Sequence, residues 1–426
     1  MDDWLRHRPA TRTRARVIAP KRRRRWPPGH GEATVIAGIL AANLWGIAAF
    51  TIFSTPGLID RFGNLKGTDF VHFYATGLAV RTDRPELLYD HRGLQRLQVT
   101  AVPASAPFFY VSVYPPQSAV AFAPLSRLPY AVATAAWVLF SAIVYGTVTA
   151  LANRGSTLPR PLLIAGLASF PPLWQLVLHG QSTAWALAAF GFGGAAMIAG
   201  RRFVAGLAFG LLAMKPQLGL VLAVVLLASR EWRVMAGIAT SWLAQIAISA
   251  SVVGVDAWLG YVAVVQQLPA LTSYLEPGNK VVLMHSIAGL VALPPLVARV
   301  LWVALSGLVI HRAWRVWISD AAMPFKMGVL VMASVLVSPH LFSYDAALLA
   351  LAVIWIGRTL EGDDALDFAG AVCFLVITLL LPTRVLIGVQ LSVVIQLWML
   401  YRVTVPVVLV PRRIPTNASH AAPSHR

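Results

Sequence analysis

Long apolar stretches recur along the chain from residue 33 to residue 402, and the short segments between them hold nearly all of the Arg and Asp residues. The hydrocarbon core of a bilayer offers the backbone no hydrogen-bonding partner, so apolar stretches of this length must be α-helices. A membrane β-barrel would need alternating segments of about ten residues, and none occurs. We therefore predict an all-α, polytopic transmembrane helical bundle of about 11–12 membrane-embedded helices.

The apolar stretches predict a series of single helices and one hairpin. Residues 203–229 are too short for two full spans, yet basic pairs flank them at both ends, so we predict two short helices broken at Lys215-Pro216. The single helices are predicted at residues 33–53, 130–151, 161–178, 182–199, 234–254, 286–310, 323–338, 345–357, 367–381 and 385–402.

The Arg residues indicate which helix ends are cytoplasmic. Residues 1–32 are Arg-rich with few apolar side chains, which predicts a disordered cytoplasmic tail by the positive-inside rule. Residues 403–426, with Arg412-Arg413, predict a second cytoplasmic tail, so the membrane domain is residues 33–402 and the polar segment 54–129 lies outside. The first apolar stretch is too long for a signal peptide, and we expect a multi-pass protein of the cell membrane.

The composition agrees with this pattern. Hydrophobic residues make up 58% of the chain and charged residues only 12%, whereas about a quarter are charged in a soluble domain. The net charge of +18 mainly reflects topology, with attraction to anionic lipid headgroups as a consequence, and we expect no nucleic-acid partner. Cys373 is the single cysteine, which excludes an internal disulfide and a cysteine metal site.

The predicted outer segment 54–129 departs most from the apolar pattern. It holds five of the seventeen acidic residues, and its amphipathic stretches predict helices that lie in the interface plane. A loop of this length in a compact membrane protein is usually functional. Its centre contains Asp69, with His72 and Tyr74 shortly after, and Tyr114 follows further along.

Other polar side chains lie at predicted outer helix ends or within apolar stretches, where they are costly to keep. Each alone has a structural explanation as a snorkelling side chain, a helix cap or a proline kink. Because Asp69, Gln181 and His340 all fall on the predicted outer face, and Lys215 points toward it, we predict a polar cavity that opens outward. The positions are His179-Gly180-Gln181, Lys215-Pro216-Gln217, Gln266-Gln267, Glu276, Lys280, His285 and the run from Ser338 through His340 and Tyr344 to Asp345.

The landmarks along the chain are short motifs in a defined order. They are Gly67-Thr68-Asp69-Phe70, Leu88-Tyr89-Asp90, Tyr114-Pro115-Pro116 with Pro124-Leu125, Gly180-Gln181, Lys215-Pro216 before Arg230-Glu231-Trp232-Arg233, and Ser338-Pro339-His340 with Tyr344. In this order the chain resembles glycosyltransferase family 87, integral membrane enzymes with the GT-C fold, over residues 33 to about 400. That family includes polyprenyl-phosphomannose-dependent α-mannosyltransferases and arabinofuranosyltransferases. The stretch between Asp69 and Tyr114 carries more Arg than the family pattern leads us to expect.

The resemblance implies transfer of a hexose, with mannose first among the candidates, from a polyprenyl-phosphate donor to a hydroxyl of a glycolipid or glycan on the outer face, with inversion. A carboxylate must take the acceptor proton, and the family places it in the first outer loop, which implies Asp69 as general base. His340 is the second catalytic candidate, and Lys215 is the candidate for stabilising the departing phosphate. The remaining substrate-binding candidates are His72, Tyr74, Tyr114, His179, Gln181, Gln217, Tyr344 and Asp345.

The sequence leaves several alternatives open. Asp69 would also fit as the cap of an interfacial helix, Lys215 as a snorkelling side chain, and Asp345 as the partner of an Arg. A non-enzymatic transporter or flippase of lipid-linked sugars would also have broken helices, although it predicts internal repeats and midplane charges that are not evident. The donor sugar could instead be arabinofuranose. We expect no cofactor and no metal, because neither a nucleotide-binding Gly-rich loop nor a set of metal ligands is visible.

Overall fold

The computed structural model describes residues 29–275 and 283–409, without the side chains of residues 268–275, 408 and 409. Most of the two predicted tails, and the polar residues Glu276 and Lys280, lie outside the described residues. The first helix begins at residue 30 and the last reaches residue 409, so the helical region extends slightly beyond the predicted limits of 33–402.

Eighteen α-helices and short 3-10 turns make up this part of the chain, and no β-strand occurs in it. The first half contains α1 (His30–Phe53), α2 (Phe70–Arg81), α3 (His91–Ala101), α4 (Pro116–Phe122), α5 (Tyr130–Ala152), α6 (Arg160–Ala168), α7 (Pro171–His179), α8 (Thr183–Ile198) and α9 (Arg202–Phe209). The second half contains α10 (Pro216–Ala228), α11 (Trp232–Val253), α12 (Val255–Leu275), α13 (Pro295–Trp317), α14 (Met323–Val337), α15 (Leu349–Gly357), α16 (Gly362–Leu380), α17 (Thr383–Ile387) and α18 (Leu391–Leu409).

Four of these helices, α1, α5, α11 and α13, are long and apolar enough to cross a membrane, and α6 with α7 forms a fifth candidate span bent by 50°. Shorter apolar helices fill the space between them. Apolar side chains on the outside of the long helices are exposed, such as Ile39, Leu139, Leu243 and Leu308. Exposure of such an apolar surface to water is unfavourable, whereas its contact with lipid tails is not. The prediction of an all-α polytopic membrane protein is confirmed.

The centre of the bundle is α14. Every side chain from Met327 to Val337 is buried, and the helix packs against α8, α10, α13, α15 and α18. Close helix contacts use glycine: a Cβ on Gly206 of α9 would lie 2.1 Å from the Val234 carbonyl oxygen of α11, and one on Gly237 would lie 2.2 Å from that of Phe203. Small residues let two backbones approach where no water-driven force joins helices.

Several predicted boundaries need correction. The predicted helix 161–178 is two helices, because Pro171 and Pro172 start α7 with a bend. The predicted helix 286–310 begins only at Pro295, and the predicted helix 385–402 divides into α17 and α18, because Gly388 ends α17 with a φ of +76°. The helix α12 was not predicted at all. The predicted break at Lys215-Pro216 is confirmed, because the 3-10 turn that follows α9 ends at Met214 and α10 begins at Pro216.

The segment 54–129 contains short helices, as predicted, but they differ in character. The helix α3 is amphipathic, with Leu94 buried and Arg92 and Arg96 exposed. By contrast, α2 is buried on all sides from Phe70 to Ala79, so it is part of the protein core and is not an exposed amphipathic helix. Its aromatic side chains form a core cluster with Phe122, Tyr130 and Trp137.

Candidate active site

Asp69 immediately precedes α2, in a loop that backbone contacts hold in place. Gly67 has a φ of +69°, a conformation that glycine adopts without steric cost. The hydroxyl of Tyr130 lies 2.8 Å from the Gly67 carbonyl oxygen, and the Asp69 backbone N–H donates to the His179 carbonyl oxygen at 3.0 Å. The Asp69 side chain accepts no capping hydrogen bond from α2. Helix capping therefore does not occupy its carboxylate.

The turn after α7 brings Gln181 beside Asp69. Gly180 ends α7 with a φ of +63°, and a Cβ there would lie 2.8 Å from the Cβ of Phe70. Both the backbone conformation and the close approach to α2 require glycine. The indole N–H of Trp137 points at the carbonyl oxygens of Gly180 and Gln181, at 3.1 and 3.2 Å. These contacts fix the start of the Gln181 side chain.

The side-chain amide of Gln181 connects Asp69 to the neighbouring polar groups. Its Nε2 donates to Asp69 Oδ2 at 2.9 Å, and its Oε1 accepts from the Ser182 backbone N–H at 2.9 Å. A backbone N–H can only donate, so this second contact sets the orientation of the amide. Tyr114 Oη and Lys215 Nζ approach the same oxygen at 3.4 and 3.5 Å. Among the described residues, none donates to Asp69 Oδ1, and Asp69 is only partly buried, so this oxygen keeps its capacity to accept a further hydrogen bond.

Lys215 lies at the break between α9 and α10, and its ammonium group contacts several protein oxygens. Nζ donates to Asp345 Oδ1 at 2.6 Å and to Thr183 Oγ1 at 3.2 Å, and the Thr183 hydroxyl donates to the same carboxylate oxygen. The side chains of Lys215 and Asp345 are 2% and 3% exposed. We call Asp69, Tyr114, Gln181, Thr183, Lys215 and Asp345 the Asp69 cluster.

A row of rings extends from this cluster to His340. Lys215 Nζ lies 5.2 Å from the centre of the Tyr344 ring, a cation–π distance, and the Tyr344 ring is 5.9 Å from that of His179. Phe342 lies 5.8 Å from Tyr344 and 4.7 Å from His340, measured between ring centres. His340 and His179 are thus connected to the cluster through aromatic contacts.

On another side of the cluster, His72 contacts two tyrosines. Its ring centre lies 6.0 Å from that of Tyr110 and 6.2 Å from that of Tyr114. The imidazole is buried, and its Nδ1 has no hydrogen-bonding partner among the described residues. Burial, with a smaller contribution from nearby His91, lowers the pKa of His72 to about 4. At neutral pH this side chain is uncharged, and burial likewise raises the pKa of the Tyr110 hydroxyl.

Residues 113–339, just over half of the 426 residues, match the model of glycosyltransferase family 87. The chain belongs to glycosyltransferase family 87. No curated protein and no solved structure matches it. The family assignment, together with the apolar helices, identifies the chain as a membrane glycosyltransferase. It therefore favours an enzyme over the non-enzymatic transporter.

In this family 87 glycosyltransferase, the matched stretch contains only part of the Asp69 cluster. Tyr114, Gln181 and Lys215 lie inside it, whereas Asp69 precedes it and Asp345 follows it. The hydrogen bond from Gln181 to Asp69 and the ion pair from Lys215 to Asp345 connect the matched stretch to both flanking regions. Of the residues predicted to converge, Asp69, Gln181 and Lys215 lie together, whereas His340 is connected to them only through the rings of Phe342 and Tyr344.

Two of the predicted substrate-binding residues lie apart from the cluster. The Tyr74 hydroxyl donates to the Leu128 carbonyl oxygen at 2.9 Å, and its ring packs against Tyr130, on the opposite side of α2 from His72. Gln217 lies in the first turn of α10, and its side chain takes part in none of the hydrogen bonds of the cluster. The partner of Asp345 is Lys215, where the sequence left an Arg or the substrate as candidates.

Sequence reasoning overlooked Thr183 and Tyr110. Thr183 starts α8 two residues after Gln181, and a hydroxyl in the first turn of an apolar helix is the signal that could have found it. Tyr110 lies in the aromatic run Phe108-Phe109-Tyr110, which shows no periodicity that marks one ring. Across the described ranges, no three His, Cys, Asp or Glu side chains are grouped as metal ligands.

Proposed function

We propose that this membrane glycosyltransferase has the GT-C fold and moves a hexose, with mannose as the first candidate, from a polyprenyl phosphate to an acceptor hydroxyl on the outer face of the cell membrane. The acceptor is a glycolipid or glycan. The observation that carries the proposal is the Asp69 carboxylate, of which Oδ2 accepts from Gln181 while Oδ1 accepts no protein donor among the described residues. A carboxylate held at one oxygen and open at the other suits a general base.

In the proposed reaction, the acceptor hydroxyl gives its proton to Asp69 Oδ1 while its oxygen bonds to the anomeric carbon. The bond from that carbon to the phosphate oxygen breaks on the opposite face, its electron pair stays on the phosphate, and the anomeric configuration inverts. The Gln181 amide holds Asp69 in one orientation. A fixed base and a fixed acceptor lower the barrier, because the groups lose little further orientational freedom when the transition state forms.

The leaving phosphate needs groups that stabilise its growing negative charge. Lys215 donates to Asp345, Thr183 and, more weakly, Gln181. Its positive charge therefore acts on the phosphate mainly from a distance. His340 and His179, on the row of rings next to Lys215, are better placed to donate a hydrogen bond directly. We assign them to the phosphate, and Tyr114 and His72 to the sugar hydroxyls.

An apolar groove beside the cluster supports a lipid-linked donor. It has a volume of about 150 Å³ and begins at Pro115, next to Tyr114, and at Ala213 and Pro216, on either side of Lys215. The rest of its lining is mostly aromatic and aliphatic and belongs to α11 and α12. These residues are Trp242, Ile246, Trp258 and Tyr261, with Gln117 from α4. A prenyl chain in this groove would leave its phosphate close to Lys215, and chain burial would contribute to binding.

The decisive experiment is Asp69→Asn in membranes that receive radiolabelled polyprenyl-phosphate mannose, glucose or arabinofuranose, one at a time. We expect one label to enter a lipid or polymer fraction with the natural chain, and the variant to lose about 10²- to 10⁴-fold of that rate, since Asn cannot take the proton. The label that is transferred identifies the sugar. Transfer of none of the three labels would refute the lipid-linked donor.

Asp90→Asn is the matched control. Asp90 also precedes a helix in segment 54–129, but its carboxylate accepts the Gly93 backbone N–H as a cap of α3. We expect this variant to keep both its thermal stability and its rate of transfer, because Asn caps a helix about as well as Asp. If Asp69→Asn behaves like Asp90→Asn and retains transfer, Asp69 is not the base.

A further inference from the structure

A buried polar network lies behind the His340 loop, and the proposed reaction does not use it. It joins the segment before α13 to the corner between α17 and α18. Gln390 N–H donates to the Leu290 carbonyl oxygen at 2.8 Å, and an Arg384 guanidinium nitrogen donates to that of Gly289 at 3.2 Å. Buried hydrogen bonds in an apolar bundle are costly to leave unmade, so these two segments hold each other in place.

His285 is at the centre of this network and is bonded through three of its polar groups. Its Nδ1 lies 2.7 Å from Ser392 Oγ and 2.9 Å from Gln390 Nε2, and its carbonyl oxygen accepts from Gln396 Nε2 at 3.2 Å. Its backbone N–H donates to the Leu341 carbonyl oxygen at 2.9 Å. His285 therefore connects the start of α18 directly to the residue that follows His340.

The hydrogen bonds also determine the tautomer of His285. The Arg384 backbone N–H donates to Gln390 Oε1 at 3.1 Å, which orients the amide so that Gln390 Nε2 donates to His285 Nδ1. Nδ1 is thus the acceptor, and the ring proton is on Nε2. Burial lowers the pKa of His285 to about 4, in agreement with a neutral ring.

We propose that His285 is a positioning residue, which ties the loop of residues 338–344 to α18 so that the His340 ring keeps its place for the transfer reaction. The inference rests on the proposed role of His340 at the donor phosphate. Leu341 itself is completely buried and its carbonyl oxygen accepts the His285 backbone N–H, so displacement of residue 285 moves the backbone that carries His340. His285 does not touch substrate in this proposal.

The test is a double-mutant cycle in membranes, with the labelled polyprenyl-phosphate sugar that the natural chain transfers. The single variants are His285→Leu, which removes the acceptor Nδ1, and His340→Ala. We expect each to lower kcat by about tenfold or more, with a smaller change in KM for the donor. In the His340→Ala background, His285→Leu should lower kcat by less than about threefold further, because its effect passes through His340.

The conservative variant His285→Asn places a side-chain oxygen near the position of Nδ1, and we expect it to restore kcat to within about threefold of the natural chain. Thr404→Val is the matched control on the same helix. It removes a buried hydroxyl that donates to the Leu400 carbonyl oxygen and accepts from Arg312 at 3.3 Å, far along α18 from Ser392. Its effect on kcat should be small and should be the same with and without His340.

Two results would overturn the positioning role while the proposed function stands. One is an equal loss of kcat from His285→Leu in both backgrounds, as expected for general destabilisation. The other is unchanged kcat in His285→Leu while His340→Ala is impaired. If His340→Ala keeps the natural rate, His340 has no role and the positioning role is wrong with it. Failure of the natural chain to transfer any of the labelled sugars would instead refute the proposed function itself.

Discussion

Lys215 and Asp345, separated by 130 residues in the chain, form an ion pair of 2.6 Å whose two side chains are almost completely buried. The pair joins the break between α9 and α10 to the start of the turn before α15. Two opposite charges in an apolar bundle can be kept only together, because either one alone would lack both water and a counter-charge. The pair also holds Thr183 and approaches Gln181, so it supports the residue that bonds Asp69.

Breaking this ion pair should be severely destabilising. We expect Asp345→Asn or Lys215→Met to lower the free energy of unfolding by about 3–5 kcal/mol, because each leaves a buried uncompensated charge. The double variant Lys215→Met/Asp345→Leu should recover most of this stability without recovering transfer. Thermal unfolding in detergent, measured beside the transfer rate, checks both.

The exposed ion pair between Arg402 and Asp367 is the matched control, with a distance of 3.2 Å and side chains about half exposed. Asp367→Asn should change the free energy of unfolding by less than about 1 kcal/mol, since water already stabilises both charges. An equally small change in Asp345→Asn would show that the Lys215 pair is hydrated in the protein, contrary to the structure.

Gln181→Leu tests whether the amide orients the base. The variant keeps a similar volume but removes the donor to Asp69 Oδ2. We expect kcat to fall by roughly 10- to 100-fold with a smaller change in KM for the donor, because a displaced base acts in the transition state more than in binding. Gln266→Leu, on the exposed face of α12, is the control and should keep its rate. A rise in KM for the donor with kcat unchanged would instead assign Gln181 to substrate binding.

Gly180→Ala tests the close approach between the α7 turn and α2. A left-handed backbone costs a residue with a Cβ roughly 1–2 kcal/mol, and here the Cβ would also meet Phe70. We expect a loss of stability beyond the backbone cost and a loss of transfer, because Gln181 moves with residue 180. Gly200→Ala has a similar φ of +73° with nothing within 4 Å, so it should show the backbone cost alone. Equal behaviour of the two variants would contradict this account.

His72 should make the protein less stable in mild acid. Burial, and to a smaller extent the nearby His91, lowers the pKa of His72 to about 4 in the folded protein. In the unfolded chain the pKa is about 6.5. The unfolded chain therefore binds the extra proton first, and the folded state loses stability as the pH falls from about 6.5 to 4, by about 2 kcal/mol at pH 5.

His72→Phe removes this titration, so the variant should gain stability relative to the natural chain between pH 7.5 and pH 5. The measurement is the difference in melting temperature between the two proteins at each pH. Titratable groups that both proteins share, and that do not interact with His72, contribute equally to both and cancel in this difference. A difference that does not change with pH would show that His72 is protonated or solvated in the folded protein.

The apolar pattern predicted α1, α5, α11 and the helix break at Lys215 closely, because a bilayer requires long apolar helices and leaves few other solutions. It failed where tertiary contacts decide. The helix α12 packs on Tyr89 and its neighbours, with Gly260 in close approach to that ring, and lacks the long apolar run of a span. The segment before Pro295 is apolar enough for a helix, yet its polar groups bond α17 and α18.

The candidate site could be predicted in part. Asp69, Gln181, Lys215 and Asp345 stand out because polar groups in an apolar sequence are costly. Their partners do not stand out. Thr183 is an ordinary helix-start residue in the sequence, and Gln181 has no feature that assigns its amide to Asp69 rather than to a sugar. His72 and Tyr74 are both candidates because they lie close to Asp69 in the sequence. Two residues at this spacing on a helix are expected on different faces, and α2 does turn their side chains to opposite sides.

By itself, the sequence determined that this protein is a helical membrane protein and which polar residues its apolar stretches retain at a cost. Solvation is the reason, since lipid sorts residues by polarity regardless of their partners. Only the tertiary structure decided that Gln181 joins Asp69 and that Lys215 neutralises Asp345. Those contacts join residues more than a hundred positions apart, and no local pattern specifies which buried donor meets which acceptor once the helices pack.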